Sequence, residues 1–261
     1  MRPIWKSDIL SAFSHHDAAP ELVLYDSIDS TNKRALEYAR ENAPDSPVLF
    51  IASEQSEGRG RLGRSFISPM GGIYMTLLTR APRAQDATAL TAYTAVVLCR
   101  ALEELTPLSP SIKWVNDIYI GDLKLAGILA QGAVDSGSGE ITHVAVGIGL
   151  NVSGSELPAE IRGIATSLER EGCTVDRAML AARITERFLE GMESVGSPKI
   201  TEEYRRRSML IGCEVNVLKP DCTYTARVTG IGDACELIIE KPGGEIELLK
   251  TGDVSVRKKS N

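Results

Sequence analysis

The sequence has no run of about 18 consecutive apolar residues, the length a membrane helix needs, so no part of it reads as a membrane span. Residues 1–20 carry Lys6, Asp8, His15, His16 and Asp17 and lack the apolar core of a secretory signal. The five cysteines, Cys99, Cys173, Cys213, Cys222 and Cys235, include no Cys-x-x-Cys pair. An odd, scattered set reads as reduced structural thiols in a reducing compartment, and the expected location is the cytoplasm. There the sequon Asn151-Val152-Ser153 is without consequence. Positive charge is also short: 29 basic side chains stand against 35 acidic ones, a net charge of -6, which speaks against a protein that coats nucleic acid. There is no internal repeat, no low-complexity tract and no Gly-x-x-x-x-Gly-Lys-Ser/Thr phosphate loop.

What is present is an ordinary globular composition, 43% hydrophobic and 25% charged, in 261 residues. Single cores stop growing at about 250–300 residues, so the length fits one sizeable α/β domain and a small module. Leu22 to Tyr25 reads as a strand, and Asp29-Ser30-Thr31-Asn32 supplies short oxygen-bearing side chains where a helix would start and run to about Ala39. Strands are expected at 48–53 and 73–78. Between 86 and 105, Leu90, Tyr93, Val97, Leu98, Ala101 and Leu105 recur at helical spacing, which predicts a buried crossover helix. Further strands are expected at 112–114, 118–120, 125–130 and 144–152, the last Gly-rich and so open to close backbone approach. Helices at 176–195 and 200–210 follow. Beyond Gly212 only short strands remain, at 213–218, 224–230, 236–240, 245–250 and 253–256, a pattern that suits a small SH3-like β-barrel. The expected domains are therefore 1–211, with a 1–20 extension, and 212–261.

Three constellations could carry chemistry. Gly58-Arg59-Gly60-Arg61-Leu62-Gly63-Arg64 holds three glycines and three arginines, a loop suited to a multiply charged anion because planar guanidinium donors match carboxylate and phosphate oxygens. Gly58-x-Gly60-x-x-Gly63 also satisfies the dinucleotide fingerprint. That fingerprint needs a helix to open at its third glycine, and Pro69 and Gly71-Gly72 stand there instead. Read alone, the loop also fits a solvated basic loop that touches RNA. The second group is Lys113-Trp114-Val115-Asn116-Asp117 with Lys124-Leu125-Ala126-Gly127-Ile128-Leu129, where charges lie between apolar strands that would penalise them unpaired. Asn116-Asp117 also fits a plain turn, and Trp114 a core residue. The third is Ser30-Thr31-Asn32 with Gln55, donors suited to a neutral urea-like or carbonyl group, although a helix cap accounts for the first three as well.

In this order the segments resemble the catalytic region of biotin protein ligases, whose pattern is Ser-Thr-Asn, Gly-Arg-Gly-Arg-x-Gly-Arg, Lys-Trp-Pro-Asn-Asp, Lys-Leu-x-Gly-Ile-Leu and Gly-Ile-Gly-x-Asn. Here the last element is Gly147-Ile148-Gly149-Leu150-Asn151, and the likeness runs from about residue 21 to 257, ending in Val254-Ser255-Val256-Arg257. Val115 stands where the family usually has proline, and Phe66 where it usually has tryptophan. The resemblance implies an α+β fold, a mixed sheet with helices packed on it of the class II aminoacyl-tRNA-synthetase and biotin-ligase type, plus the SH3-like barrel. It implies a monofunctional form, because only about twenty residues precede the first core strand and leave no room for a winged helix-turn-helix.

The implied reaction joins biotin and magnesium-ATP into biotinyl-5′-adenylate, then transfers the biotinyl group to a lysine of a biotin carboxyl carrier protein. By this resemblance Lys124 and Arg61 are the catalytic pair. Ser30, Thr31, Asn32, Gln55, Arg59, Gly60, Arg61 and Lys124 would hold biotin. Arg61, Arg64, Phe66, Lys113, Asn116, Asn151 and Arg257 would face ATP, with Phe66 over the adenine, and Asp117 would hold Mg2+. The acceptor carrier is the expected partner, a homodimer stays open, and no nucleic acid or membrane partner is expected. The alternatives are a lipoate ligase or octanoyl transferase, and, in another class, a nucleic-acid-binding regulatory module.

Overall fold

A computed structural model of the chain describes residues 4–14, 19–81, 87–134, 137–153, 157–219 and 221–250, with the backbone of 255–258. Strand β2 (Val48–Gln55) opens with six buried residues in succession and β3 (Ile73–Arg80) with seven, the mark of strands covered on both faces. With β1 (Glu21–Ile28), β4 (Ser111–Lys113), β5 (Asp117–Ile120), β6 (Leu123–Val134) and β7 (Ile141–Leu150) they form a seven-stranded sheet of order β1-β2-β3-β7-β6-β5-β4. β1 and β2 run parallel and every other pair antiparallel, so the sheet is mixed, as an α+β fold requires.

Alternation along β2 assigns the two faces. Leu49 and Ile51 point into the main core, while Val48 and Phe50 join a smaller cluster with Ala35 and Ala39 of helix α2 (Thr31–Asn42). The main core is roofed by α3 (Ala87–Leu105), buried along most of its length, together with α4 (Arg177–Glu190) and α5 (Pro198–Arg207). α3 is the expected crossover: it carries the chain from β3 to β4 at the far edge of the sheet. The other face is only partly covered, because α2 is a single helix of 12 residues.

β8 (Glu214–Leu218), β9 (Thr223–Ile231), β10 (Leu237–Glu240), β11 (Ile246–Leu249) and β12 (Ser255–Lys258) form a separate antiparallel sheet of order β11-β10-β9-β8-β12. Its buried residues, among them Val215, Val228 and Leu237, are continuous with the main core. Polar contacts reinforce the junction: Trp114 Nε1 donates to the Cys235 carbonyl at 2.9 Å, and Arg205 Nε to the Ile231 carbonyl at 2.9 Å. Residue 211, where a boundary is expected, falls between the end of α5 and the start of β8. All five thiols are free, and burial pushes that of Cys99 up to about 12.

Several expectations need adjustment. The N-terminal extension contains a helix that was not expected, α1 (Lys6–Ala12), which packs on α4 and buries Ile9, with Phe13 buried just beyond its end. Trp114 belongs to a turn and not to a strand, since β4 ends at Lys113. The helix expected to run to 195 stops at Glu190, where the Gly191 N–H turns back to carbonyls of the last turn and a 3-10 turn, Met192–Ser194, follows. The next helix opens two residues early because Ser197 precedes Pro198, the residue best suited to a first helical position. The final strand is Ser255–Lys258, and residues 251–254, which hold half of the expected span, lie outside the described residues. Residue 86, where the crossover helix was expected to begin, also lies outside the described residues.

Candidate active site

A cavity of about 630 Å3 opens on the partly covered face, where the N-terminus of α2, the Gly/Arg loop and the β4–β5 corner converge. Its floor is backbone. β6 and β7 pair Gly127 with Gly149, and Gly147 lies two residues along on the same face. A Cβ at Gly147 would overlap the Asn32 amide, and one at Gly149 would stand 2.5 Å from the Phe66 ring. Arg59, Arg61, Arg64, Lys113 and Lys124 line the walls against one carboxylate among the described residues, Asp117. In a chain of net charge -6, this segregation makes the cavity an anion trap.

The loop is held as an extended hairpin, not as the start of a helix. Phe66 N donates to the Gly58 carbonyl at 2.8 Å and Gly60 N to the Arg64 carbonyl at 2.7 Å, with one 3-10 turn, Arg61–Gly63, at the tip. Gly63 sits at φ +71 and Leu62 at φ 56, so the tip takes left-handed backbone that glycine tolerates best. The turn sends Arg61 inward. Its Nη1 lies 3.5 Å from Asn116 Oδ1, while its Nη2 is buried without a hydrogen-bond partner among the described residues. Burial draws the Arg61 pKa down, opposed by the charge of Asp117. A half-buried cation with one buried nitrogen left in this state is suited to an anionic ligand. Arg59 and Arg64 stand exposed at the mouth.

Lys124 Nζ, on β6, pairs with Asp117 Oδ1 at 2.7 Å and lies 5.6 Å from the centroid of the Phe66 ring. Asn116 is locked to β6 by its Nδ2, which donates to the Ile128 carbonyl at 2.8 Å, and Lys113 Nζ reaches Tyr119 Oη at 3.4 Å. The corner is also gripped from behind, because Tyr204 Oη donates to the Val115 carbonyl at 2.9 Å. The Trp114–Val115 peptide is cis.

The polar end of the cavity is a chain of hydrogen bonds. Thr31 donates from N and Oγ1 to Gln55 Oε1 at 2.9 and 3.0 Å, and Gln55 Nε2 donates to Ser68 Oγ at 3.0 Å. Gln55 thus caps α2. Ser30 holds the N-cap position yet makes no capping bond, so its hydroxyl is left for the cavity that it lines. Asn32 is differently employed: its amide donates to the Leu129 carbonyl and Gln131 Oε1 and accepts from Thr76 Oγ1 at 2.7 Å. It therefore fixes α2 to the sheet.

Of the expected site residues, Ser30, Thr31, Asn32, Gln55, Arg59, Gly60, Arg61, Arg64, Phe66, Lys113, Asn116, Asp117 and Lys124 all line this one cavity. Asn151 does not. Its Nδ2 donates to the Thr166 carbonyl at 3.0 Å beside the wall. Arg257 pairs through its backbone with Asn216 on β8, and its side chain lies outside the described residues. Sequence reading missed Tyr119 and Ile164. Tyr119 was accessible, two residues from Asp117 and hence on the same strand face. Ile164 gave no signal, since it reaches the cavity by backbone pairing of its carbonyl with Lys124 N at 3.0 Å.

Residues 24–151 match the biotin/lipoate A/B protein ligase family, and residues 210–257 match the biotin protein ligase C terminal domain. The chain is 31% identical to the bifunctional ligase/repressor BirA of Bacillus subtilis over 90% of its own length and 74% of that protein. It is 32% identical to the biotin–acetyl-CoA-carboxylase ligase of Paracoccus denitrificans over 83% of its length and 92% of that protein. Among solved structures, the biotin protein ligase of Aquifex aeolicus in complex with biotin and ATP superposes with a TM-score of 0.80 at 27% identity, covering 92% of this chain and 99% of that one. With the motifs, the two-unit fold and the cation-lined cavity in agreement, the chain belongs to the biotin protein ligases.

Proposed function

We propose that the chain activates biotin with ATP as biotinyl-5′-AMP and transfers the biotinyl group to a lysine of a carboxylase's biotin carrier domain, working in the cytoplasm. One observation supports this above the others: the half-buried Arg61 brings a guanidinium whose buried Nη2 has no hydrogen-bond partner among the described residues into the same cavity as Lys124. Adenylation must bring a carboxylate against a triphosphate, and cations fixed in advance offset that repulsion without having to reorganise. Lys124 and Arg61 would draw the biotin carboxylate onto the α-phosphorus, which loses pyrophosphate. The carrier amine would then attack the acyl carbon of the mixed anhydride and release AMP.

The ureido group would sit at the polar end, on the Ser30 and Thr31 hydroxyls, with the ring on the glycine floor and near Arg59 and Gly60. Gln55 and Asn32 would act by holding Thr31 and α2 in place. Arg64, Lys113 and Asn116 would face the nucleotide, Phe66 would cover the adenine, and Asn151 would support the wall through Thr166. Magnesium, when bound, would neutralise phosphate charge. The cavity offers it one carboxylate, Asp117, and the described residues contain no cluster of three His, Cys, Asp or Glu. That donor set fits an ion carried in on the triphosphate.

The test is the intact mass of a carrier domain after incubation with the protein, ATP and either biotin or lipoate. A gain of one biotinyl group, with none from lipoate, is expected. A lipoyl gain would move the assignment to the lipoate branch of the wider family.

A further inference from the structure

Beyond Leu150 the strand β7 ends, and Lys124 has lost that neighbour. The segment 164–166 replaces it: Lys124 N donates to the Ile164 carbonyl at 3.0 Å, and Thr166 N donates to the Lys124 carbonyl at 2.8 Å. This is a short parallel bridge between Lys124 and Ala165. The segment follows a 3-10 turn, Ala159–Ile161, and belongs to no helix or strand that would hold it rigidly. The Ile164 and Ala165 amides bond back to the Ile161 carbonyl at 2.9 and 2.8 Å, and Arg170 adds a side-chain restraint on the carbonyl side. Its Nη1 donates to the Ala165 carbonyl at 2.8 Å and to the Arg162 carbonyl at 3.2 Å, and its Nη2 to the Arg162 carbonyl at 3.3 Å. Carbonyls at the end of a turn are unsatisfied and carry partial negative charge, and a planar cation with several donors meets both needs. Thr166 Oγ1, which donates to Glu171 Oε1 at 2.5 Å, and the Asn151 amide pin the far end.

We infer that Arg170 is a positioning residue for adenylation: it holds 162–166 so that this segment fixes the backbone of Lys124 and the Ile164 wall beside it. The inference rests on the ligase reading, in which Lys124 meets the reacting anions. Arg170 is exposed and lies outside the cavity lining, so its side chain acts only through this segment.

The test combines amide hydrogen exchange with kinetics on the full chain carrying Arg170→Ala or Arg170→Lys. In Arg170→Ala, exchange at the Lys124 and Thr166 amides should quicken about tenfold or more, while the Ile128 amide, bonded to the Asn116 carbonyl, keeps its parent rate. Turnover in biotin-dependent ATP–pyrophosphate exchange should fall about tenfold, a larger change than in KM for biotin, since a misplacement of ~1 Å can cost about a hundredfold. Arg170→Lys, which keeps the charge but loses the planar fork that spans two carbonyls, should fall between the two. Unchanged protection at Lys124 in Arg170→Ala overturns the inference, and so does lost protection with unchanged turnover. A parent protein without pyrophosphate exchange would sink the ligase reading instead, and the amide rates would still decide whether Arg170 holds Lys124.

Discussion

Lys124 has a partner before any substrate arrives, since Asp117 holds its ammonium at 2.7 Å. A part-buried pair of this kind keeps the cation aimed into the cavity at low cost, and a ligand carboxylate or phosphate can then share the charge. Lys124→Ala should lower biotinyl-adenylate formation by about a hundredfold or more, the range seen when one preorganised charge-stabilising donor is removed. Pyrophosphate exchange is the measurement, and a rate close to that of the parent would remove Lys124 from the chemistry. Asp29 lies just ahead of the site. Burial alone would raise its pKa, but hydrogen bonds from Lys33 and the Ser30 N–H and the charge of Arg34 outweigh that effect and bring it to about 2. A folded-state value below the ordinary one stabilises the protein above about pH 4, and the contribution is lost as pH falls toward 2. The stability gap between parent and Asp29→Asn should therefore be full at pH 6 and close during acid titration; a gap independent of pH would contradict the assignment.

The same logic governs the elements. β6 and β7 supply a floor only because glycines fall on the face that α2 leaves open, so one added methyl group acts on both the packing of α2 and the room for a ligand. Gly147→Ala would drive a Cβ into the Asn32 amide and disturb its bond with Thr76. A loss of about 1–3 kcal/mol, typical of overpacking, is expected, together with weaker biotin binding. Chemical denaturation and isothermal titration would measure the two, and unchanged values in both would mean that α2 can shift away. The Gly/Arg loop is likewise an element-level device: Gln55 and Ser68 tie its base to the cap of α2, so the polar end of the cavity and the loop share one hydrogen-bond chain.

At the scale of the whole molecule, the C-terminal unit and α5 grip the turn that carries Asn116 and leads into Asp117 of β5. The Trp114 indole N–H ends on the Cys235 carbonyl and the Tyr204 hydroxyl on the Val115 carbonyl. Trp114→Phe should cost about 1–3 kcal/mol, because it leaves a buried carbonyl without its donor, and should raise KM for ATP more than KM for biotin. Equal effects on both substrates would argue against a link between the second unit and the nucleotide end.

Much of this was legible in the chain itself. Residue pattern located the strands of both sheets to within a few residues, because burial on one face or on both leaves a direct imprint on residue type, and the order of five short motifs picked out the family where each alone stayed ambiguous. Proximity had no such imprint. That Gln55 caps α2, that the Asn32 amide bonds to the sheet and the Asn151 amide to the Thr166 carbonyl, that Ile164 stands beside Lys124, and that the half-buried Arg61 keeps one buried nitrogen without a partner among the described residues all depend on how segments distant in sequence meet. Sequence patterns report what each residue requires of its surroundings, and only the packed sheet and its loops decide which neighbour meets that requirement.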